Sequence, residues 1–428
     1  MKPQSAAYDC IVIGGGPAGA TAATLVADAG FRTLLLERDL APRRKVGESL
    51  MPETYWVFER LGVLDAMKKA PFVQKVGVQF VSSSGRESSP FLFTRHDPRE
   101  CSRTWHVERA KFDPLLLENA ASKGVQVQRG ARVLEVVFDG ERAVGVRLAD
   151  KGDPANGANR ENVVAGDMIR AQVVVDASGQ AGLLGARFKL RQPNPKFRKA
   201  AIWGHFRGSR RDVIDGGVMT VCLRTRSNRS WFWHIPLSND VVSIGVVSDA
   251  DYFFQPGSGT PEELFAAEVA DCPAMAQRLE AAEKVAGFDV VKEYSYTTSR
   301  AAGDGWVLVG DSWGFIDPIY SSGVWFALKS GQLAADAIIE GLRSGDTSAA
   351  QLGKWVPGFA RGTAWVRKLA EAWYCGQFRV GKFIREYPHH VGPMTDILIG
   401  RIFHPDAGRL FDDLDPWLER MKQQGVTS

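Results

Sequence analysis

Four stretches of this 428-residue chain carry residue types that do chemistry at a defined spacing. The first is Gly14-x-Gly16-x-x-Gly19, which follows the apolar run YDCIVI (8–13) and opens an alanine-rich stretch. Gly14 permits a tight turn, Gly16 leaves the backbone bare for a pyrophosphate, and Gly19 lets a helix sit close to a strand. The free N–H groups and the dipole at the helix start favour the anion. Glu37 closes the next apolar run, 18 residues past Gly19, where a carboxylate can accept both hydroxyls of a ribose. Glycines alone are a weak signal; with flanking strands and the acid they specify a dinucleotide site. The second stretch is Gly310-Asp311, at the tip of Val307-Leu308-Val309. A carboxylate there can hold a second sugar-like chain, the ribityl of FAD. Asp317-Pro318 and Ser321-Ser322-Gly323 then lead into a helix whose N-terminus can face the flavin ring or an anion. The third is Trp231-Phe232-Trp233-His234-Ile235-Pro236, where alternate residues of a strand share a face, so two indoles stand side by side. The fourth is Lys75, between Phe72 and Phe80 in the apolar run PFVQKVGVQF. Buried, it would lose proton affinity and be neutral near pH 7; on the surface it would be an ordinary solvated charge.

The segments GGGPAGA, LLLER, VERAKFD, VVVDASG and GDSWGFIDPIYSSGV occur in this order. Together they resemble the FAD-binding motifs of the p-hydroxybenzoate-hydroxylase-like flavoproteins, from residue 8 to about 345. That superfamily includes aromatic hydroxylases, geranylgeranyl reductases and flavin-dependent halogenases. The resemblance implies FAD contacts from Gly14, Gly16, Ala18, Gly19, Glu37, Arg38, Arg109, Asp311, Pro318, Gly323 and Val324. For Arg109 the alternative is an ion pair with Glu108 or Asp113. Two departures narrow the branch. Asp176-Ala177-Ser178-Gly179 stands where NADPH-driven hydroxylases carry Asp-Gly, and Gly314 stands where they carry a histidine. Both departures resemble halogenases and geranylgeranyl reductases.

Trp231 to Pro236 is similar to the W-x-W-x-I-P motif of flavin-dependent halogenases, and Lys75 falls where they carry an essential lysine. The resemblance implies that reduced FAD and O2 form a C4a-hydroperoxide, which oxidises a halide held by the backbone N–H groups of Ser322 and Gly323. Hypohalous acid then passes a tunnel walled by Trp231, Trp233, Ile235 and Pro236 to Lys75, which directs chloride or bromide to an electron-rich ring. Tyr320 replaces the glutamate of the tryptophan-halogenase branch, which fits phenolic, pyrrolic or carrier-protein-bound substrates better than free tryptophan. The chain has no second nucleotide fingerprint, so a separate NADH-dependent reductase is expected to supply the reduced flavin. Three alternatives stand: a geranylgeranyl-reductase-like oxidoreductase, a monooxygenase without halide chemistry, and a flavin-binding protein without turnover. A solvent-facing Lys75 would favour these.

The elements needed to position such residues are legible too. Strand 8–13, helix 17–29 and strand 31–36 form a βαβ unit, the signature of a parallel sheet. A hairpin is expected over 131–149, turned at Asp139-Gly140, followed by a polar loop over 151–162 and a buried strand at 171–176. From 197 to 250 short alternating runs predict an antiparallel sheet; 261–284 and 323–342 predict helices. The fold class is α/β: a Rossmann-like FAD-binding domain with a parallel sheet, an inserted antiparallel-sheet substrate domain, and a mostly helical C-terminal region. The expected boundaries are 1–70, 100–190 and 286–345 for the first, 71–99 and 191–285 for the second, and 346–428 for the third. Trp355, Trp365, Trp373, Tyr374, Phe378 and Phe383 are expected to pack on the catalytic body, some of them on the substrate side.

A net charge of +4 spread over this length argues against a nucleic-acid partner. No apolar run is long enough to span a membrane, and the start has no signal-peptide core. Five scattered cysteines without a C-x-x-C pair predict neither a disulfide framework nor a metal site, and fit a cytoplasmic protein.

Overall fold

A computed structural model describes residues 8–149, 168–292 and 295–424; the polar loop expected over 151–162 lies outside them. Its first layer is a parallel sheet in the spatial order Trp306–Leu308, Met168–Asp176, Tyr8–Ile13, Thr33–Glu37, Gln126–Arg129. Tyr8–Ile13 lies in the middle and is buried on both faces, as its unbroken apolar run requires. Helix Pro17–Asp28 starts with proline at its first position, where a missing N–H costs nothing, and packs against the long helix Ser322–Ser344. The hairpin Val133–Asp139 and Arg142–Leu148 forms as read and joins the parallel sheet through Met168–Asp176.

The second layer is a sheet built around Lys199–Arg207, Val241–Asp249, Trp231–Pro236, Gly217–Arg224 and Val73–Val81. It is antiparallel except where Val73–Val81 runs parallel to Gly217–Arg224. Two strands outside the expected boundaries belong to it: Thr104–His106 pairs with Val73–Val81, and Asp289–Lys292 pairs with Lys199–Arg207. One face of Trp231–Pro236 joins the main core through Trp231, Trp233 and Ile235. The other face turns Phe232 into a smaller core under helix Pro261–Ala270. Gly245 sits opposite Trp233, and a Cβ there would lie 2.2 Å from the indole, so glycine is what lets the ring lie flat across the neighbouring strand.

The helix expected over 261–284 is two helices, Pro261–Ala270 and Pro273–Leu279, followed by the short strand Glu283–Lys284. Pro273 cannot donate into a continuing helix and restarts one instead. Thr260 and Glu263 close a capping box at the start of the first.

In the C-terminal region, Trp373 ends a long helix (Val356–Tyr374) with its ring 5.5 Å from Phe80 and 6.3 Å from Trp231. Phe378 and Phe383 instead pack around Trp417. Among the described residues, no helix is long and apolar enough to cross a membrane.

Candidate active site

A cavity of about 720 Å³ opens between the two sheets. Its floor is the first strand-to-helix turn. Gly14 has φ +105°, and a Cβ there would meet the Ala177 carbonyl at 2.4 Å. A Cβ on Gly19 would meet the Gly14 carbonyl at 2.0 Å, so this glycine serves helix packing and does not border the cavity. Gly16 differs: its backbone is ordinary extended chain, it borders the cavity, and a Cβ there would meet nothing within 4 Å. That bare space above a helix start is the shape a pyrophosphate needs.

Glu37 borders the same cavity with its carboxylate held by two backbone donors, Gly15 N–H at 2.7 Å and Asp39 N–H at 2.8 Å. Each oxygen keeps accepting capacity toward the cavity, as a ribose diol requires. Glu37→Ala is expected to weaken FAD binding by about 1–3 kcal/mol, roughly five- to a hundredfold in Kd. Titration followed by flavin fluorescence measures this. An unchanged Kd would place the ribose elsewhere.

Ala18, Arg38, Pro318, Gly323 and Val324 border the cavity too. Arg109 makes the ion pair read as its alternative and also borders the cavity. Its guanidinium holds Asp113 through two hydrogen bonds (2.7 and 3.0 Å) and the Val46 carbonyl (2.8 Å), and it still faces the cavity. Asp311 also borders the cavity, and burial raises its carboxyl to about 6 against the pull of Arg109 and Arg191. The donor set therefore fits FAD: a bare glycine turn, an acid for the ribose, and a second acid at a strand tip beside an arginine. These residues would hold the pyrophosphate, the adenosine ribose and the ribityl chain respectively.

The far end of the cavity is aromatic. Trp231 and Trp233 border it with ring centroids 6.2 Å apart, tilted at 54°. Each indole N–H has a partner: Trp231 donates to the Tyr374 hydroxyl at 2.8 Å, and Trp233 to Ser243 at 3.2 Å. Tyr374 in turn donates to Asp317 at 3.0 Å, so the C-terminal helix braces the tryptophan wall from behind. None of the six C-terminal aromatics, some of which were expected on the substrate side, borders this cavity. Ile235 borders it, but Pro236 does not, because alternate strand residues face opposite ways. Ser322 is also off the cavity: it is buried in the first turn of helix Ser322–Ser344, whereas its neighbours Ser321, Gly323 and Val324 border the opening. No side chain caps this helix, so its first N–H groups keep their anion-binding capacity. Tyr320 turns away, its hydroxyl bonded to the Leu369 carbonyl at 3.3 Å.

Lys75 is 1% exposed and does not itself border the cavity. Its strand pairs Lys75 with Val218 and Gly77 with Met219, so Val76 is an extra residue. Such a bulge re-aims the neighbouring side chain. The amine donates to Ser49 Oγ at 2.9 Å and the Leu50 carbonyl at 3.0 Å, above the Phe93 ring. Burial pulls the ammonium down to about 7, with the Cys222 thiol opposing. Ser49 does border the cavity, so one hydroxyl separates Lys75 from it.

Thr220, Cys222 and Trp203 also line the wall and were not singled out in the sequence. Each is a single residue inside an apolar strand, and only Trp203 carried a local signal, as an aromatic in AIWGHF.

Known proteins are similar to this chain in sequence and in fold. Residues 7–349 match the family model described as FAD binding domain. A 1H-pyrrole-2-carbonyl-[peptidyl-carrier protein] chlorinase of Pseudomonas fluorescens is 35% identical, over 80% of this chain and 78% of that protein. The flavin-dependent brominase Bmp2 superposes with a TM-score of 0.83 at 27% identity, covering 96% of this chain and 99% of that one. A flavoprotein/dehydrogenase from Cytophaga hutchinsonii gives 0.83 at 28% identity, covering 97% and 100%. With the glycine turn, the two acids and the paired indoles around one cavity, these matches make the chain a member of the FAD-binding flavin-dependent halogenases.

Proposed function

We propose that this protein chlorinates or brominates an electron-rich aromatic ring, a pyrrole or phenol presented free or on a carrier protein, using reduced FAD delivered by a separate NADH-dependent reductase. The observation that carries the reading is Lys75: a buried amine with a weakened hold on its proton, one hydroxyl from a cavity walled by two indoles. Bound reduced FAD supplies, with O2, the two-electron oxidation that turns halide into hypohalous acid. Gly323 and the N–H groups at the start of its helix hold the halide. Trp231 and Trp233 fill the space beside the flavin with rigid rings, which keeps an organic substrate out and leaves room for a small oxidant. The Lys75 amine receives the hypohalous acid by its lone pair. The ring then forms a carbon–halogen bond as the halogen leaves its partner: from oxygen, the released hydroxide takes the ring proton and leaves as water; from the nitrogen of a haloamine, whose formation has already released water, the ring proton returns to the amine. The pyrrolyl-carrier chlorinase lends support to a carrier-bound pyrrole. A solvent-facing Lys75 would have favoured a prenyl reductase or a simple monooxygenase, and this amine is buried.

The test is an assay with reduced FAD, O2, chloride or bromide, and a panel of phenols and pyrroles, free and as carrier thioesters. The expected result is a product with the halogen isotope pattern in its mass spectrum. Consumption of reduced flavin without halogenated product across the panel would overturn the reading.

The pH dependence has a definite sign. Burial disfavours the ammonium, so Lys75 is neutral above about 7 and charged below. Single-turnover halogenation is expected to rise with pH through about 7 and level off above it. A rate that is flat between about pH 6 and about pH 8 would exclude this amine as the titrating group.

A further inference from the structure

We infer that His106 is a positioning residue, which through Thr220 and Ser49 holds the Lys75 amine with two N–H bonds engaged and its lone pair free. The significance for catalysis rests on the halogenase reading; the hydrogen-bond order does not. Four contacts form one line. His106 Nδ1 lies 2.8 Å from the Pro236 carbonyl, and His106 Nε2 lies 2.8 Å from Thr220 Oγ1. Thr220 Oγ1 lies 2.8 Å from Ser49 Oγ, and Ser49 Oγ lies 2.9 Å from Lys75 Nζ.

Chemistry fixes the direction of every bond. A carbonyl only accepts, so the proton of His106 sits on Nδ1. Burial, reinforced by Lys75, keeps this imidazole neutral, well below its ordinary range. Its Nε2 is therefore a bare acceptor, and Thr220 must donate to it. The Thr220 oxygen then accepts from the Ser49 hydroxyl, and the Ser49 oxygen is left to accept from Lys75. A neutral amine has two N–H bonds and one lone pair. Ser49 Oγ and the Leu50 carbonyl take both N–H bonds, so the lone pair is what remains to meet an electrophile.

The tertiary fold builds this line from five separate segments. Thr104–His106 pairs with the strand of Lys75, and Ser49 bridges to His106. Gly217–Arg224 brings Thr220 from the other side. The fixed end is the carbonyl of Pro236, the last residue of the paired-indole strand. Pro236 is thus not tunnel wall; it anchors the lysine to the strand that carries the wall. The titratable and charged groups acting on the line are Cys222 at Lys75, and His234 and Arg211 at His106. Glu48, beside Ser49, is bonded to His205 at 2.8 Å.

The experiment reads Lys75 directly and does not need turnover. FAD-loaded protein is exposed to cyanate, which carbamylates only neutral amines, and modification of Lys75 is followed by peptide mass spectrometry across pH. His106→Leu and Thr220→Val release the Ser49 hydroxyl to turn and donate to the amine lone pair. The expected outcome is a carbamylation midpoint moved to lower pH by about half a unit or more, with a plateau rate lowered about threefold or more. Thr220→Ser, which keeps the hydroxyl, should restore both. FAD uptake reports folding, and if His106→Leu does not fold, Thr220→Val decides alone. A folded Thr220→Val protein with unchanged midpoint and plateau would overturn the inference. Were the unmutated protein to show the expected carbamylation behaviour yet make no halogenated product, the halogenase reading would fail and the hydrogen-bond order would stand.

Discussion

Lys75→Met is expected to abolish halogenation while FAD uptake and the oxidation of reduced flavin by O2 continue. Methionine keeps the length and bulk of the side chain and removes the amine. The Ser49 hydroxyl and the Leu50 carbonyl then lose a donor, at about 1–3 kcal/mol, partly offset because a poorly solvated amine is no longer buried. The fold should survive that balance. Groups that hold or activate a reactant at this distance contribute about a hundredfold to ten-thousandfold, so product should fall by at least the lower figure. Lys75→Arg should fail as well, since a guanidinium stays charged and offers no lone pair. Product per reduced flavin, measured by mass spectrometry beside oxygen consumption, separates the two steps. Halogenation by Lys75→Met at the unmutated rate would show that the oxidant reaches the ring without this amine.

Gly16→Val should leave a folded protein that no longer takes up FAD. The backbone at Gly16 is extended, with φ −73° and ψ −179°, a conformation that valine adopts freely. A Cβ there enters open cavity, so nothing in the protein is displaced. The space it fills is where the helix start would meet a bound pyrophosphate. Loss of two hydrogen bonds to a charged group, about 3–6 kcal/mol, weakens Kd by roughly a hundredfold or more. Gly14→Ala is the contrasting control. Its φ of +105° and the 2.4 Å approach to the Ala177 carbonyl mean that the protein itself is strained, so its melting temperature should drop. Calorimetry and a flavin titration on both variants make the comparison. Tight FAD binding by Gly16→Val would remove this turn from the cofactor site.

What the sequence determined on its own was whatever depends on near neighbours along the chain. The βαβ unit, the turn at Gly14 to Gly19, Glu37 at a strand tip and the shared face of Trp231 and Trp233 all follow from backbone rules acting over a few residues. The hairpin at Asp139-Gly140 was legible for the same reason, since Gly140 takes φ +58° there. The break at Pro273 is equally local, since proline cannot donate into a continuing helix.

Tertiary structure decided the surroundings of Lys75. That the lysine lies in an apolar run is written in the chain; that it is buried depends on the bulge at Val76 and on strands drawn from residues 104–106 and 217–224. Ser49, His106, Thr220 and Pro236 carry no mutual spacing that a reader of the chain could recognise. Their hydrogen bonds exist because strand pairing and register bring five distant segments within 3 Å contacts, with each buried polar group satisfied by another. Local propensity sets which residues form strands and turns, but which polar side chains meet is set by the order in which the strands pair.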